Sequence, residues 1–366
     1  MMKCVELVGA FPKQLAHRTD RPKPDLPPEG AIIKVWYCGM CHTDAHMWVS
    51  PCEIPVILGH EVCGEIESIG DDGANPDGLR KGDKVIVYPW IACGKCKACD
   101  KGNAEYCELK PEEQIEIGIT LDGGYAEYVA VRNLMYLVPV PDAIPMEIAG
   151  TLACGMLTAY HTIQVASKEI EDILQSKDNC GILIIGAGGL GLSAVKLAKY
   201  LILSKYKNVQ VMCSDINKNK LALAMDAGCD DVIHWSQDEN ADEWVRKTKA
   251  AFVGGGPFIV IDFTGSKDTF DVAYKSLRKH GTILCIGLHG GVVDLPLESI
   301  ILNSITVKGV YVGTLSQLRE LTKIVADGKI PPLPYTLHKL EEAPDLICKL
   351  KTNQITTGRA ILSLKQ

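Results

Sequence analysis

The sequence has no apolar run long enough to cross a bilayer, no biased tract, no repeated unit and no excess of basic residues. Each absence excludes a class of protein. Without a stretch of roughly 20 apolar residues, no membrane-spanning helix is expected. The N-terminus, MMKCVELVGAFPKQLAHRTDRPKPD, lacks the uninterrupted apolar core and the small-residue cleavage pattern of a signal peptide, so the expected location is cytoplasmic. The 38 basic residues against 45 acidic ones give a formal charge of -7, which argues against a nucleic-acid or anionic-membrane partner. With 47% hydrophobic and 23% charged residues, neither disorder nor a fibrous repeat is in question. A chain of 366 residues is expected to form roughly two to three domains, here working on small molecules.

What the sequence does have is cysteine, 15 of them. In a large chain without a signal peptide they point to thiols and metal ligands rather than disulfides. Eight (Cys4, Cys52, Cys63, Cys180, Cys213, Cys229, Cys285 and Cys348) stand singly and read as small buried hydrophobes. In CGKCKACDKGNAEYC, Cys93, Cys96, Cys99 and Cys107 are separated by two, two and seven residues, close enough for four thiolates to converge on one tetrahedral ion. Zinc is the natural occupant and iron-sulfur the alternative, although nothing else in the chain suggests electron relay. A four-sulfur zinc site has no open position, so its expected role is structural.

The chain changes texture along its length. From Ile32 to Ile66 and from Lys84 to Val87, short β-branched runs alternate with Gly, Pro and Asp clusters, which predicts irregular antiparallel β structure without a helix of any length. Beyond about Leu157, strand and helix patterns alternate. GILIIGAGGLG reads as a buried strand meeting a glycine turn, and LSAVKLAKYLI as the helix after it. VQVMCSD, FIVIDFTG, TILCIGL and ITVKGVYVG read as further strands, while LALAMDAG and DTFDVAYKSLRKHG read as helices ending near glycine. The fold class is therefore α/β, with an irregular β domain and a doubly wound parallel sheet. The tail from Leu315 adds no further full strand-helix unit and is expected to return to the N-terminal domain. The expected domains are 1–155, completed by 312–366, and 156–311.

GAGGLG after an apolar strand and before an amphipathic helix is a dinucleotide turn, with Gly186, Gly188 and Gly191 at the motif positions and Gly189 between them. Asp215 ends VQVMCSD, 24 residues beyond Gly191. A carboxylate there binds ribose hydroxyls and repels a 2'-phosphate, so NAD is expected rather than NADP. Upstream, CGMCHTDAHMW, LGHEVCGEIESIG and TLACGMLTAYHT bring Cys41, His60 and Cys154, which could form an open zinc site. Each alone is weak, and Cys38 with Cys41 also reads as half of a thiol pair. In sum, CHTDxH, GHExxGE, the four-cysteine lobe, CGxxT and GxGxxG, in that order, resemble the zinc-dependent medium-chain alcohol dehydrogenases over nearly the whole chain.

The resemblance implies a GroES-like catalytic domain beside a Rossmann domain, two Zn2+ per chain and NAD. It makes Cys41, His60 and Cys154 the catalytic ligands, with Asp44 orienting His60 and Glu61 a carboxylate behind the metal. Thr43 and His46 become a proton relay, and His42 approaches the cofactor pyrophosphate. It further implies Thr158, Leu190 and Leu288 near the nicotinamide, Lys220 near the ribose, Thr264 near the adenosine and Arg359 at the pyrophosphate. Trp48 and Trp90 flank these motifs as either pocket or core. The implied activity is hydride transfer between an alcohol and NAD, or an aldehyde or ketone in reverse, by a homodimer or homotetramer. Polyol, sugar or threonine dehydrogenases of the same superfamily are the alternative, although they commonly use Glu where this chain has Cys154. A noncatalytic dinucleotide-binding structural or sensor protein is the alternative from another class. The short loop WVSPCEIPVIL leaves the identity of the alcohol open.

Overall fold

The computed structural model describes residues 1–9, 13–50, 55–71, 73–103, 106–107, 115–356 and 358–365. It divides into two compact units, Met1–Leu157 with Gly313–Gln366, and Thr158–Val312.

The second unit is built on a six-stranded sheet. Strand Cys180–Ile185 lies at its centre, with Val209–Asp215 and then Asp231–His234 on one side and Ile259–Asp262, Thr282–Cys285 and Thr306–Gly309 on the other. Every pairing is parallel. All six residues of the central strand are buried, as expected where helices cover both faces of a parallel sheet. One face packs Leu183, Met212, Val260 and Ile283 against Trp235, Phe252 and Phe270. The helix Lys218–Ala227 ends at Gly228 in the left-handed region, a conformation glycine adopts without a Cβ penalty. Lys267–Ser276 stops earlier than the sequence pattern suggests, at an extended Leu277 rather than at glycine.

The first unit centres on strand Ala31–Gly39, which pairs antiparallel with Glu61–Ile69, Tyr128–Val131 and Arg359–Ser363. One expectation fails here. The predicted helix-free stretch contains a helix, His42–Val49. It carries no apolar stripe for a periodicity reading to find, and it starts because the Asp44 carboxylate accepts the backbone N–H of Cys41, the residue at its N-cap. The tail, expected not to extend the parallel sheet and to return to the N-terminal domain, holds strand Tyr335–Lys339, helix Ala343–Lys351 and strand Arg359–Ser363. The two strands are parallel neighbours, so the tail is a βαβ unit built into the sheet of the first unit, where Ile361 pairs with Gly39.

Among the described residues no helix is long and apolar enough to cross a membrane. Of the lone cysteines, Cys4, Cys63, Cys180, Cys213 and Cys229 are buried, Cys285 is half-buried and Cys348 is exposed; Cys52 lies outside the described residues. The hydrophobe reading therefore fails for Cys348.

Candidate metal centres and dinucleotide turn

Two clusters of metal-ligating atoms stand out, and both lie in the first unit. In the lobe, Cys93, Cys96, Cys99 and Cys107 bring their sulfurs together, with Cys93–Cys99 at 3.8 Å, Cys96–Cys99 at 3.5 Å and Cys96–Cys107 at 4.0 Å. A tetrahedral Zn2+ with Zn–S distances of about 2.3 Å sets its sulfurs about 3.8 Å apart, so the four fit one ion. Backbone amides of Lys95 and Cys93 donate to Cys93 and Cys107 sulfurs, the bonds that steady thiolates around a metal. Residues 104 and 105 of this segment lie outside the described residues.

The second cluster is Cys41, His60, Glu61 and Cys154, all buried. Cys41 caps the short helix His42–Val49, His60 immediately precedes strand Glu61–Ile69, and Cys154 ends the 3-10 turn Gly150–Ala153. Three segments distant in sequence thus deliver one ligand each. The Cys41 and Cys154 sulfurs are 4.0 Å apart, and His60 Nε2 is 3.3 Å from Cys154 Sγ. Those separations are close to the roughly 3.8 Å and 3.5 Å that Zn–S and Zn–N bonds of ordinary length require. The donor set, two thiols and an imidazole within 4.8 Å of one another, suits zinc with one position left for another ligand.

Charges around this cluster are paired. The hydrogen bond from Cys154 holds Cys41 well below the usual thiol range, against the effect of burial, and the same bond together with burial pushes Cys154 up. Asp44 Oδ1 stands 3.4 Å from His60 Nδ1, which favours a proton on Nδ1 and leaves Nε2 free to ligate. Burial opposes a charged His60, but Asp44 and Cys41 outweigh it and hold the imidazole above its ordinary value. Glu61 is pushed up to about 7 by burial although Arg359 pulls the other way. Arg359 donates to the Glu61 carboxylate and, at 3.1 Å, to the Met40 carbonyl. The residue implied at a pyrophosphate therefore stands, in the first unit, as the cation of Glu61.

Thr43 Oγ1 lies 3.6 Å from Cys41 Sγ, and His46 is one helical turn further on, half-buried; His42 is exposed. Trp90 is buried with its ring 5.8 Å from that of His60, whereas Trp48 gives its indole N–H to the Lys13 carbonyl. Sequence reasoning missed Tyr125. Its hydroxyl donates to Asp44 Oδ2 at 2.8 Å, and burial and the Asp44 charge push its ionisation well up, so that it remains a donor.

In the second unit Gly186, Asp215, Thr264 and Leu288 lie at or just beyond the carboxyl ends of the parallel strands, the position where open α/β sheets bind ligands. Gly186 follows strand Cys180–Ile185 with φ +93°, and helix Gly189–Ala198 starts behind Gly188. A Cβ on Gly191 would stand 1.7 Å from the Gly186 carbonyl oxygen, so the turn closes only because that atom is missing. Around Gly188 a Cβ would meet no protein atom within 4 Å, which leaves the helix N-terminus open to a phosphate. Asp215 accepts the N–H of Ala187 and of Asn217, each at 2.8 Å, and so sits against the turn. Thr264 and Leu288 lie on adjoining loops, joined where the His289 amide donates to the Thr264 carbonyl. Leu288 is exposed, Leu190 and Lys220 are half-buried, and Thr158 is buried in helix Gly155–Leu174.

A thiol-rich ligand set with room for one more donor, and an open helix N-terminus at a strand-turn-helix, are what a metal-dependent, dinucleotide-linked dehydrogenase requires. Residues 27–142 match the alcohol dehydrogenase GroES-like domain and residues 189–327 the zinc-binding dehydrogenase domain. The chain is 32% identical to an alcohol dehydrogenase of Geobacillus stearothermophilus, over 93% of this chain and 94% of that one. It is 33% identical to an NAD-dependent alcohol dehydrogenase of Sulfolobus acidocaldarius with the same two shares. The solved alcohol dehydrogenase of Aeropyrum pernix, 28% identical, superposes over 99% of each chain with a TM-score of 0.83. This chain belongs to the zinc-dependent medium-chain dehydrogenase/reductase family.

Proposed function

We propose that the chain is an NAD-dependent zinc alcohol dehydrogenase, interconverting an alcohol with its aldehyde or ketone. The observation that carries this is the buried Cys41–His60–Cys154 set, with Asp44 holding the imidazole in the ligating tautomer. When bound, Zn2+ supplies Lewis-acid polarisation of the substrate oxygen and NAD accepts or returns the hydride. The residues of the chain do the rest. Cys41, His60 and Cys154 hold the metal, and Arg359 neutralises Glu61 behind it. Thr43, beside Cys41, takes the hydroxyl proton of the substrate on Oγ1 and passes its own toward His46, whose imidazole delivers it to solvent. The glycine turn binds the pyrophosphate through backbone N–H groups, and Asp215 selects a free ribose 2'-hydroxyl.

The third ligand, Cys154, favours an alcohol dehydrogenase over the polyol, sugar and threonine enzymes. The reading places the enzyme in the cytoplasm, where its thiols stay reduced. It has no nucleic-acid or membrane partner and assembles as a homodimer or homotetramer. Strand Thr306–Gly309 supports assembly: all four residues are exposed, and among the described residues its outer edge has no strand beside it. Leu297, Ile301 and Leu302 nearby in sequence are 65–73% exposed.

The test is a screen of primary, secondary, allylic and aromatic alcohols with NAD, run on the native chain and on Cys154→Ser. The native chain should hold two zinc ions and reduce NAD with at least one class. Cys154→Ser should hold one zinc, keep its far-UV circular dichroism and lose nearly all turnover. Full turnover in Cys154→Ser would remove that residue from the site.

A further inference from the structure

The residues that hold His60 in place do not end at Asp44. One oxygen of that carboxylate, Oδ2, receives two hydrogen bonds, from the Cys41 amide at 2.9 Å and the Tyr125 hydroxyl at 2.8 Å. The two fix the rotation of the carboxylate, the rotation that sets Oδ1 3.4 Å from His60 Nδ1. Tyr125 is fully buried, and its main chain is tied to the segment that carries His60: Gly123, Gly124 and Tyr125 donate to the carbonyls of Ile57, Gly59 and Leu58. Its ring also fills the space beside Gly59, where a Cβ would come within 2.4 Å of it and where φ is +95°. Tyr125 thus meets the ligand from two directions, through the backbone that precedes His60 and through the carboxylate behind its ring.

We propose that Tyr125 is a positioning residue for the catalytic metal, acting through Asp44 on the orientation of His60. The proposal rests on the reading of Cys41, His60 and Cys154 as a zinc site. The part of Tyr125 that does this is the hydroxyl, because the ring alone would satisfy the packing against Gly59. Tyr125→Phe removes only that oxygen. It leaves Asp44 Oδ2 with one donor, so the carboxylate can turn and the imidazole loses its fixed aim.

The measurements are zinc release to a chromogenic chelator and the absorption spectrum of the Co2+-substituted protein, both on the whole chain. Cys154→Ser, holding only the four-cysteine zinc, identifies which release phase belongs to which site. Tyr125→Phe should fold, retain two zinc ions, and release the catalytic one about 10-fold to 100-fold faster, the usual effect of removing a partner of a ligand. The visible bands of its Co2+ form should shift. In Asp44→Asn the orienting charge is already gone, so adding Tyr125→Phe should change release no further, as expected when two residues act as one unit. Native-like release and an unshifted Co2+ spectrum in Tyr125→Phe would overturn the proposal, as would independent, multiplying effects of the two substitutions. A native chain with a single zinc would overturn the metal-site reading itself. Two zinc ions in the native chain with an unaffected Tyr125→Phe would overturn this proposal alone.

Discussion

Asp215 and Asp44 are both carboxylates that hold backbone amides while facing a ligand position, and their effects on function differ accordingly. Asp215 accepts the N–H of Ala187 within the glycine turn, so it shapes the phosphate cradle as well as repelling a 2'-phosphate. Asp215→Gly should therefore relax the preference for NAD over NADP and also weaken NAD itself. The loss of charge-assisted hydrogen bonds worth about 1.5–3 kcal/mol corresponds to about 10-fold to 100-fold in kcat/KM for NAD. Steady-state kinetics with both coenzymes checks this, and a native enzyme that already prefers NADP would contradict it. At this scale the sequence was informative where chemistry concentrates in a short window, as in CHTDAH or the four-cysteine lobe. It was silent about Tyr125, which a sequence separation of 81 residues divides from Asp44 and which no motif marks. Arg359 shows a related limit: the resemblance implied a place at the pyrophosphate, and no sequence pattern announced that its guanidinium also pairs with the buried Glu61 carboxylate, where an unpaired charge would cost several kcal/mol.

At the scale of elements, the hydrophobic pattern located the central strands of the second unit, because they are buried on both faces and read as continuous apolar runs, whereas the half-exposed edge strand Asp231–His234 and helix Ala241–Ala251 went unread. The helix His42–Val49 was illegible for the opposite reason: it is held by a cap and by its role in ligation, not by an apolar stripe. The glycine turn supplies a strict test of local packing. Gly191→Ala places a methyl 1.7 Å from the Gly186 carbonyl oxygen, and backbone cannot yield as a side-chain tip does. The substitution should cost about 1–3 kcal/mol of stability, or more if the strand-to-helix turn opens. Denaturant titration reads the loss directly, and NAD affinity, followed by nucleotide fluorescence, should fall with it.

For the whole molecule, the edge strand Thr306–Gly309 and the exposed apolar residues of helix Leu297–Asn303, which precedes it in sequence, are where an assembly surface can be tested. Ile301→Asp combined with Val307→Lys should put charges on that surface and lower the molar mass seen by light scattering, with secondary structure kept. A native protein that is already monomeric would contradict the assembly reading. The division of the chain into two units was foreshadowed by the change from β texture to alternating strands and helices. The βαβ form of the tail was not, because its first strand, Tyr335–Lys339, is largely exposed and carries little apolar pattern. That tail also orders events in time. Strand Arg359–Ser363 must emerge from the ribosome before it can pair with Ala31–Gly39, and the entire second unit is translated between them. A Rossmann sheet made of neighbouring segments can fold while still tethered to the translating complex, whereas the sheet beside the zinc ligands waits for its final strand and for Arg359. The catalytic half is thus begun before the second unit and closed after it, and until Arg359 arrives the Glu61 carboxylate lacks the cation it pairs with in the folded chain.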